Sequence, residues 1–577
     1  MASSGLPIHI HCSAQKPSVS SSANFDHLKS TLSNAFKPFL KQIERLPLRI
    51  DVAPQTLNNT CLKLVDAAVD SVFEFADQPL LPSQSNFGPV DEMKEAVQVT
   101  NIQGEIPRDF AEGVYIRNGP NPIFGALTST SSMFGRSSYT WIEGEGMLHA
   151  LYFCKGVEGD WTVLYKNRYV ETETLKLERQ RNKPSFLPAI EGDSPAILSA
   201  YLLNMLRYGK VNKEISNTNV FEHGGKMYSI AENHKPQEIN ILTLETLNDW
   251  DVNGGWNRPF SSHPKKAPGT GELVILGIDA TKPFAELGVI SGYARIGIMP
   301  RYGSADSIQW FKVKPNCTFH LFNCFEDGDE VVMWGCRALD SIIPGPDKGQ
   351  NKFDWFSRKL RPIKPIEGSM DAVSEDQLVF PRPYEWRMNK QTGDVKERNL
   401  TGTEYSMDFP FINEGFVGVQ NNYGYCQVRD SIASSASGMA KYGGLAKLYF
   451  GEQNPGFSLK GNEVEGLTKV EYHMFEKNTF GTGAAFVPKQ GGVEEDDGWV
   501  VTFVHNEDTN ISQVLIIEAK SFTSKPVGRI TLPFRVPYGF HGTFRPMQLQ
   551  NDILSIIPSL NSKIVKSTSP SCSQIHE

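Results

Sequence analysis

Short apolar runs of strand length recur along the chain from about residue 97: Val97–Ile102, Gly113–Asn118, Trp161–Tyr169, Lys226–Ala231, Glu272–Ile278, Glu330–Cys336, Trp499–Phe503 and Val514–Glu518. Turn formers separate them, among them Glu-Asp-Gly-Asp at 326–329 and Asn-Gly-Gly at 253–255. Runs of this kind predict a large all-β domain, closed or radial. No fixed period is visible from which repeating units might be counted. Helical spacing breaks through in a few places. Leu62–Ala76 carries Leu62, Leu64, Val65, Ala68, Val69, Val72 and Phe73, and Ser30–Glu44 reads as a basic amphipathic helix interrupted by Pro38. Helical inserts are expected at Pro195–Tyr208 and Lys352–Leu360. The N-terminal helices suit either packing on the domain or peripheral contact with a membrane surface.

The same pattern divides the chain. Residues 1–45 form a leader, 46–96 a helical N-terminal extension, 97–545 the β domain and 546–577 a Ser-rich tail. The first 43 residues hold one acidic residue, Asp26, many serines and four lysines. That composition describes a plastid transit peptide. Its lack of arginine leaves a disordered cytoplasmic leader as the alternative.

Composition narrows the function. The 577 residues carry a net charge of −8, which argues against a nucleic-acid partner. No apolar run approaches the 18 or so residues that span a bilayer. Eight cysteines without a C-x-x-C pair indicate neither a disulfide framework nor a zinc site. No G-x-S-x-G elbow or P-loop appears, so hydrolase chemistry has little support.

Among twelve histidines, none forms an i, i+4 pair typical of a helical metal site. Context raises three. His263 lies in Ser-Ser-His-Pro-Lys just before a Gly-rich turn, His320 sits in a strand, and His541 is flanked by glycines. Strand-end histidines converging on one axis would build an all-imidazole metal centre. Imidazole suits iron, zinc and copper alike, so the ligand type does not choose the metal.

Ordered motifs across residues 85–545 then resemble the carotenoid cleavage dioxygenases. They are Asn86-Phe-Gly-Pro-Val-Asp-Glu, Gly104-Glu-Ile-Pro, Gly113-Val-Tyr-Ile-Arg-Asn-Gly-Pro-Asn-Pro, Trp141-Ile-Glu-Gly-Glu-Gly-Met-Leu-His, Gly297-Ile-Met-Pro-Arg-Tyr-Gly, Phe319-His-Leu-Phe-Asn-Cys-Phe-Glu-Asp and Val536-Pro-Tyr-Gly-Phe-His-Gly-Thr-Phe. The resemblance implies a seven-bladed β-propeller with Fe(2+) held on its axis by four imidazoles. It also implies an oxygenase that cuts a carotenoid or apocarotenoid double bond with O2 to give aldehydes or ketones, with the 9,10 or 9′,10′ bond favoured. His263, His320 and His541 match three of the four ligands. His149 stands in a signature motif but matches no ligand and reads as structural. Glu232 and Asp408 match two of the three acids that orient the imidazoles, and Gly483 stands where the third is expected.

One departure is larger. No histidine occurs between His263 and His320, where the family has its second ligand. Gly271-Glu-Leu-Val-Ile-Leu-Gly-Ile-Asp runs on through Glu286-Leu-Gly-Val-Ile-Ser straight into Gly292-Tyr-Ala-Arg. Both flanks match the family, so an internal deletion near Ser291–Gly292 explains the gap better than gradual divergence. The expected propeller then has one blade region incomplete. Two readings follow: an iron dioxygenase, or a catalytically impaired propeller that binds carotenoid or a partner without turnover.

Overall fold

The computed structural model describes residues 65–549, apart from 68, 94, 125–126, 233, 257–258, 276–293, 340–351, 363–378 and 454–466. The leader at 1–45, the segment Ser30–Glu44, the junction at Ser291–Gly292 and the tail from 550 onward lie outside the described residues. Strand is the main regular structure of the described chain, as the apolar runs predict. Antiparallel meanders dominate. Asn219–His223, Lys226–Ile230, Gln237–Ile239 and Thr246–Asp249 form one four-stranded sheet. Cys317–Asp327, Glu330–Ala338, Arg382–Asn389 and Val395–Asn399 form another.

The two ends of the chain are woven together. Gly542–Pro546 pairs with Gly113–Pro120, which continues through Gly146–Lys155 and Trp161–Tyr169 to Val97–Val99. Near the start, Ile102–Gly104 leaves that sheet and pairs with Gly528–Thr531. Gly113–Pro120 is buried at every position, and Gly146–Lys155 at all but its last. Burial on both faces explains why residues 114–116 and 150–154 within them are continuously apolar and not alternating. Phe110, Tyr115, Phe153, Phe503 and Phe544 share one core that joins both sheets. Each is large and almost fully enclosed, so truncating one to Ala costs about 3–5 kcal/mol.

The region between His263 and His320 is thinner. Among its described residues there are only two-stranded ribbons, Lys265–Lys266 with Leu273–Val274 and Ala294–Ile298 with Gln309–Val313. The sheets do not join into a closed ring among the described residues. The seven-blade count implied by the resemblance is not confirmed among the described residues.

Two helical expectations stand, with shifted edges, at Ser194–Tyr208 and Lys352–Lys359. Proline in the first turn starts the former, and Gly209 in the left-handed region ends it. The N-terminal extension requires correction. Helix is present at 65–67 and 69–72, but Glu74–Asp77 is a strand on the edge of Thr128–Ser132. Pairing there satisfies the strand's backbone groups, and tertiary context overrides the helical spacing.

Candidate metal centre

Three elements carry the three singled-out histidines to one point. His320 sits in Cys317–Asp327, where the pairing slips between Thr318 and His320. His263 stands in the loop just before Lys265–Lys266, and His541 directly precedes Gly542–Pro546. Their ligating nitrogens all lie within 4.8 Å of one another. His263 Nε2 and His541 Nε2 are 2.8 Å apart. Two ligands at ~2.1 Å from one ion and at right angles would stand about 3.0 Å apart.

The outward nitrogens explain which way the rings face. His320 Nδ1 is 2.7 Å from Asp408 Oδ1. His263 Nδ1 is 3.0 Å from Ser262 Oγ. Ser262 in turn donates to Glu232, whose carboxylate lies 3.5 Å from His263 Nδ1. Such partners hold Nδ1 protonated and turn the Nε2 lone pair inward. With His263 in that tautomer, its Nε2 lone pair faces His541 Nε2 at 2.8 Å, close enough for one cation to bridge the two rings. A proton is disfavoured in that role. Burial, then the neighbouring His320 and Lys265, hold His263 well below the usual histidine value. Burial, then His263, His320 and Lys265, do the same to His541. Three imidazoles gathered in this way fit a divalent metal. Burial alone would push the Asp408 carboxyl up, but the His320 ring, Arg429 and the Phe409 N–H bring it below the ordinary value.

Phe409 is the residue that sequence reasoning overlooked. The strand Met407–Phe411 slips register between Asp408 and Phe411, and Phe409 adopts φ +53°. A non-glycine residue there costs roughly 1–2 kcal/mol. The irregularity aims Asp408 at His320 and lays the Phe409 ring 4.7 Å from His320 and 4.9 Å from His541. Phe540 lies 6.5 Å from Phe409 and nearly parallel to it, and stacks on Trp141 at 5.5 Å. The metal site is thus walled by half-buried aromatic faces. Ser262 was missed as well; its only sequence signal was adjacency to His263.

The other described histidines are engaged elsewhere. His149 is buried with Nδ1 2.9 Å from the Tyr165 hydroxyl, as a structural role requires. His234 lies between Glu214 and Asp249, and His223 ends a hairpin strand beside Trp250. Neither supplies a fourth imidazole. His473 bonds the Phe522 carbonyl and His505 the Ser512 hydroxyl. Position 483 is glycine, and among the described residues no carboxylate pairs with His541.

Comparison with known proteins follows the same lines. The sequence profile of the family described as retinal pigment epithelial membrane protein, RPE65, matches residues 87–293 and 290–546. The two matched stretches meet at 290–293, beside the junction read from the sequence. A carotenoid 9,10(9',10')-cleavage dioxygenase 1 from Phaseolus vulgaris is 29% identical, covering 86% of this chain and 95% of its own length. A 9-cis-epoxycarotenoid dioxygenase from Oryza sativa subsp. japonica, named chloroplastic, is 26% identical over 85% of this chain and 80% of its own. Among solved structures, a mutant Synechocystis ACO superposes with a TM-score of 0.60 at 17% identity, covering 82% of this chain and all of that one.

Proposed function

Since this chain belongs to the RPE65/carotenoid cleavage dioxygenase family, we propose that it acts on a carotenoid or apocarotenoid at the 9,10 or 9′,10′ double bond, with Fe(2+) and O2, to give aldehyde or ketone fragments. One observation carries the reading: His263, His320 and His541, far apart in sequence, bring three ligating nitrogens within 4.8 Å of one another. These residues would hold the iron, which supplies the site for O2 chemistry when bound. Ser262–Glu232 and Asp408 orient two of the imidazoles. Phe409, Phe540 and Trp141 offer flat apolar faces to a polyene and keep water from the reacting bond. No side-chain acid or base is required. The preference for the 9,10 bond rests on overall similarity to relatives named for that cleavage. Incubating the iron-loaded chain with a carotenoid panel in air tests the proposal. Aldehyde or ketone fragments should appear and vanish in His320→Ala; no fragments from any substrate would refute it.

A second reading is favoured by one observation, the lack of a fourth imidazole among the described residues. On it, this chain binds carotenoid with little or no turnover, and a longer form from the same gene carries the second ligand. Substrate binding without product in the same panel supports this reading.

Two further parts of the proposal concern place. The acid-poor leader supports import into plastids, and some relatives are named chloroplastic. A fusion of residues 1–60 to a fluorescent protein should mark plastids; diffuse cytoplasmic signal would rule import out. No described helix is long and apolar enough to cross a membrane. Leu202, Met205 and Leu206 are exposed along one face of Ser194–Tyr208. That helix shares a core with Val69 and Phe73 at the end of the N-terminal helix. The exposed face supports peripheral contact with a lipid surface from which an apolar substrate enters. Loss of vesicle co-flotation in Leu206→Glu is expected; unchanged flotation would contradict the contact.

A further inference from the structure

Arg117 is buried to 1% exposure in the strand Gly113–Pro120, directly opposite Gly542, the residue after His541. No ion pair and no carboxylate compensates its charge among the described residues. Its Nε has no hydrogen-bond partner. Burial lowers its pKa to about 10, which still leaves it charged at neutral pH. Burying an unpaired guanidinium is expensive, so the surroundings must hold it for a reason.

Those surroundings are the segment that carries His541. Arg117 Nη1 donates to the Pro537 carbonyl at 2.5 Å. A Cβ on Gly539 would fall 2.6 Å from Nη1, and one on Gly483 would fall 2.3 Å from Arg117 Cγ. The side chain therefore threads between two glycines, one of them in the His541 segment. Next to it, Asn118 accepts from Phe540 N at 3.0 Å and donates its own N–H to the His541 carbonyl at 3.1 Å. Arg117 and Asn118 thus grip the segment Pro537–His541 at both ends. The space into which a side chain at 483 would project is already filled by Arg117.

We propose that Arg117 is the positioning residue for His541, fixing the ring through its backbone in place of the carboxylate that orients the other two imidazoles. The inference rests on reading His541 as a metal ligand. It explains why glycine at 483 is compatible with an ordered His541: the two side chains exclude each other. Gly483 also has φ +69°, a conformation that a glutamate adopts only with strain.

The test uses the full chain, metal-free, as wild type, Arg117→Met and Arg117→Lys. Amide exchange is followed in peptides covering 537–542 and, as a control, 147–153. Co(2+) titration is followed by visible absorption. In Arg117→Met, exchange at 537–542 should quicken about tenfold while the control strand is unchanged. The Kd for Co(2+) should rise about 10- to 100-fold with a shifted ligand-field band, as for loss of a ligand-orienting partner. Arg117→Lys, which keeps charge and a donor, should fall between the two. Variants that melt earlier but keep wild-type loop exchange, Co(2+) affinity and spectrum would reduce Arg117 to general structure and overturn the proposal. Wild type that takes up no Co(2+) would sink the metal reading instead, while the exchange comparison still decides whether Arg117 holds the loop.

Discussion

At the scale of single residues, each imidazole is held in its own way. Asp408 touches His320 directly, whereas Glu232 reaches His263 mainly through Ser262. Asp408→Asn keeps the shape but removes the charge, and Asn offers His320 an amide whose oxygen is a weaker acceptor. Iron affinity should fall about 10- to 100-fold, read by dialysis against a chelator; unchanged affinity would remove Asp408 from the site. A buried histidine away from the metal gives a prediction about pH. Burial, then the charges of Arg535 and Lys441, bring His505 down to about 4 from 6.5. Above pH 6.5 it is neutral whether the chain is folded or not. As pH falls from 6.5 towards 4 only the unfolded chain takes the proton, so stability is lost across that window. The shift corresponds to about 3 kcal/mol. Urea unfolding from pH 7 to 4 should therefore show a steeper loss for wild type than for His505→Gln. Equal slopes would contradict this role for His505.

Elements differ in how plainly the sequence shows them. Trp161–Tyr169 is a strand with the predicted bounds, and Glu330–Ala338 and Ile511–Glu518 extend their predicted runs by a few residues. Fully buried strands leave a continuous apolar signal. Short elements fixed by contacts do not. Glu173–Arg181 and Ser431–Ser437 are helices set by the caps Thr172 and Asp430, and neither has the apolar spacing that would reveal it. Glu74–Asp77 was hidden in a helical pattern because its pairing partner lies over fifty residues away. The candidate site divides the same way. His263, His320, His541, Glu232 and Asp408 stood out through motif context, and the structure brings all five together. Ser262, Phe409 and Arg117 act through register slips and close packing, which no local pattern encodes. The last strand, Gly542–Pro546, couples packing to the site. Phe544 seats it against Phe110 at 5.7 Å and Phe153 at 6.3 Å. Phe544→Ala should destabilise the fold by about 3–5 kcal/mol and lower metal affinity as well, because His541 precedes that strand. A stability loss with wild-type metal affinity would show that strand and site are uncoupled.

On the scale of the whole molecule, the thin region and the short ligand set belong together. Around the ribbons that flank residues 276–293, Tyr302 is 79% exposed, Val274 59%, Trp310 55% and Phe319 44%. Apolar side chains this open, beside sheets of only two strands, are what a radial β architecture shows where a blade lacks strands. On the proposed reading, one interruption near Ser291–Gly292 removes both the second imidazole and the strands that bear it. It follows that a form with that segment restored gains metal and stability at once. The direct measurement is to purify both forms, load them anaerobically with Fe(2+), remove loose metal by gel filtration, and determine iron per chain, melting temperature and turnover of a 9,10-cleavable apocarotenoid. The account predicts that the restored form holds about one iron per chain, melts higher and cleaves faster, while the present chain retains clearly less iron and cleaves more slowly. A present chain that keeps one iron and cleaves at a rate comparable to the restored form would contradict it.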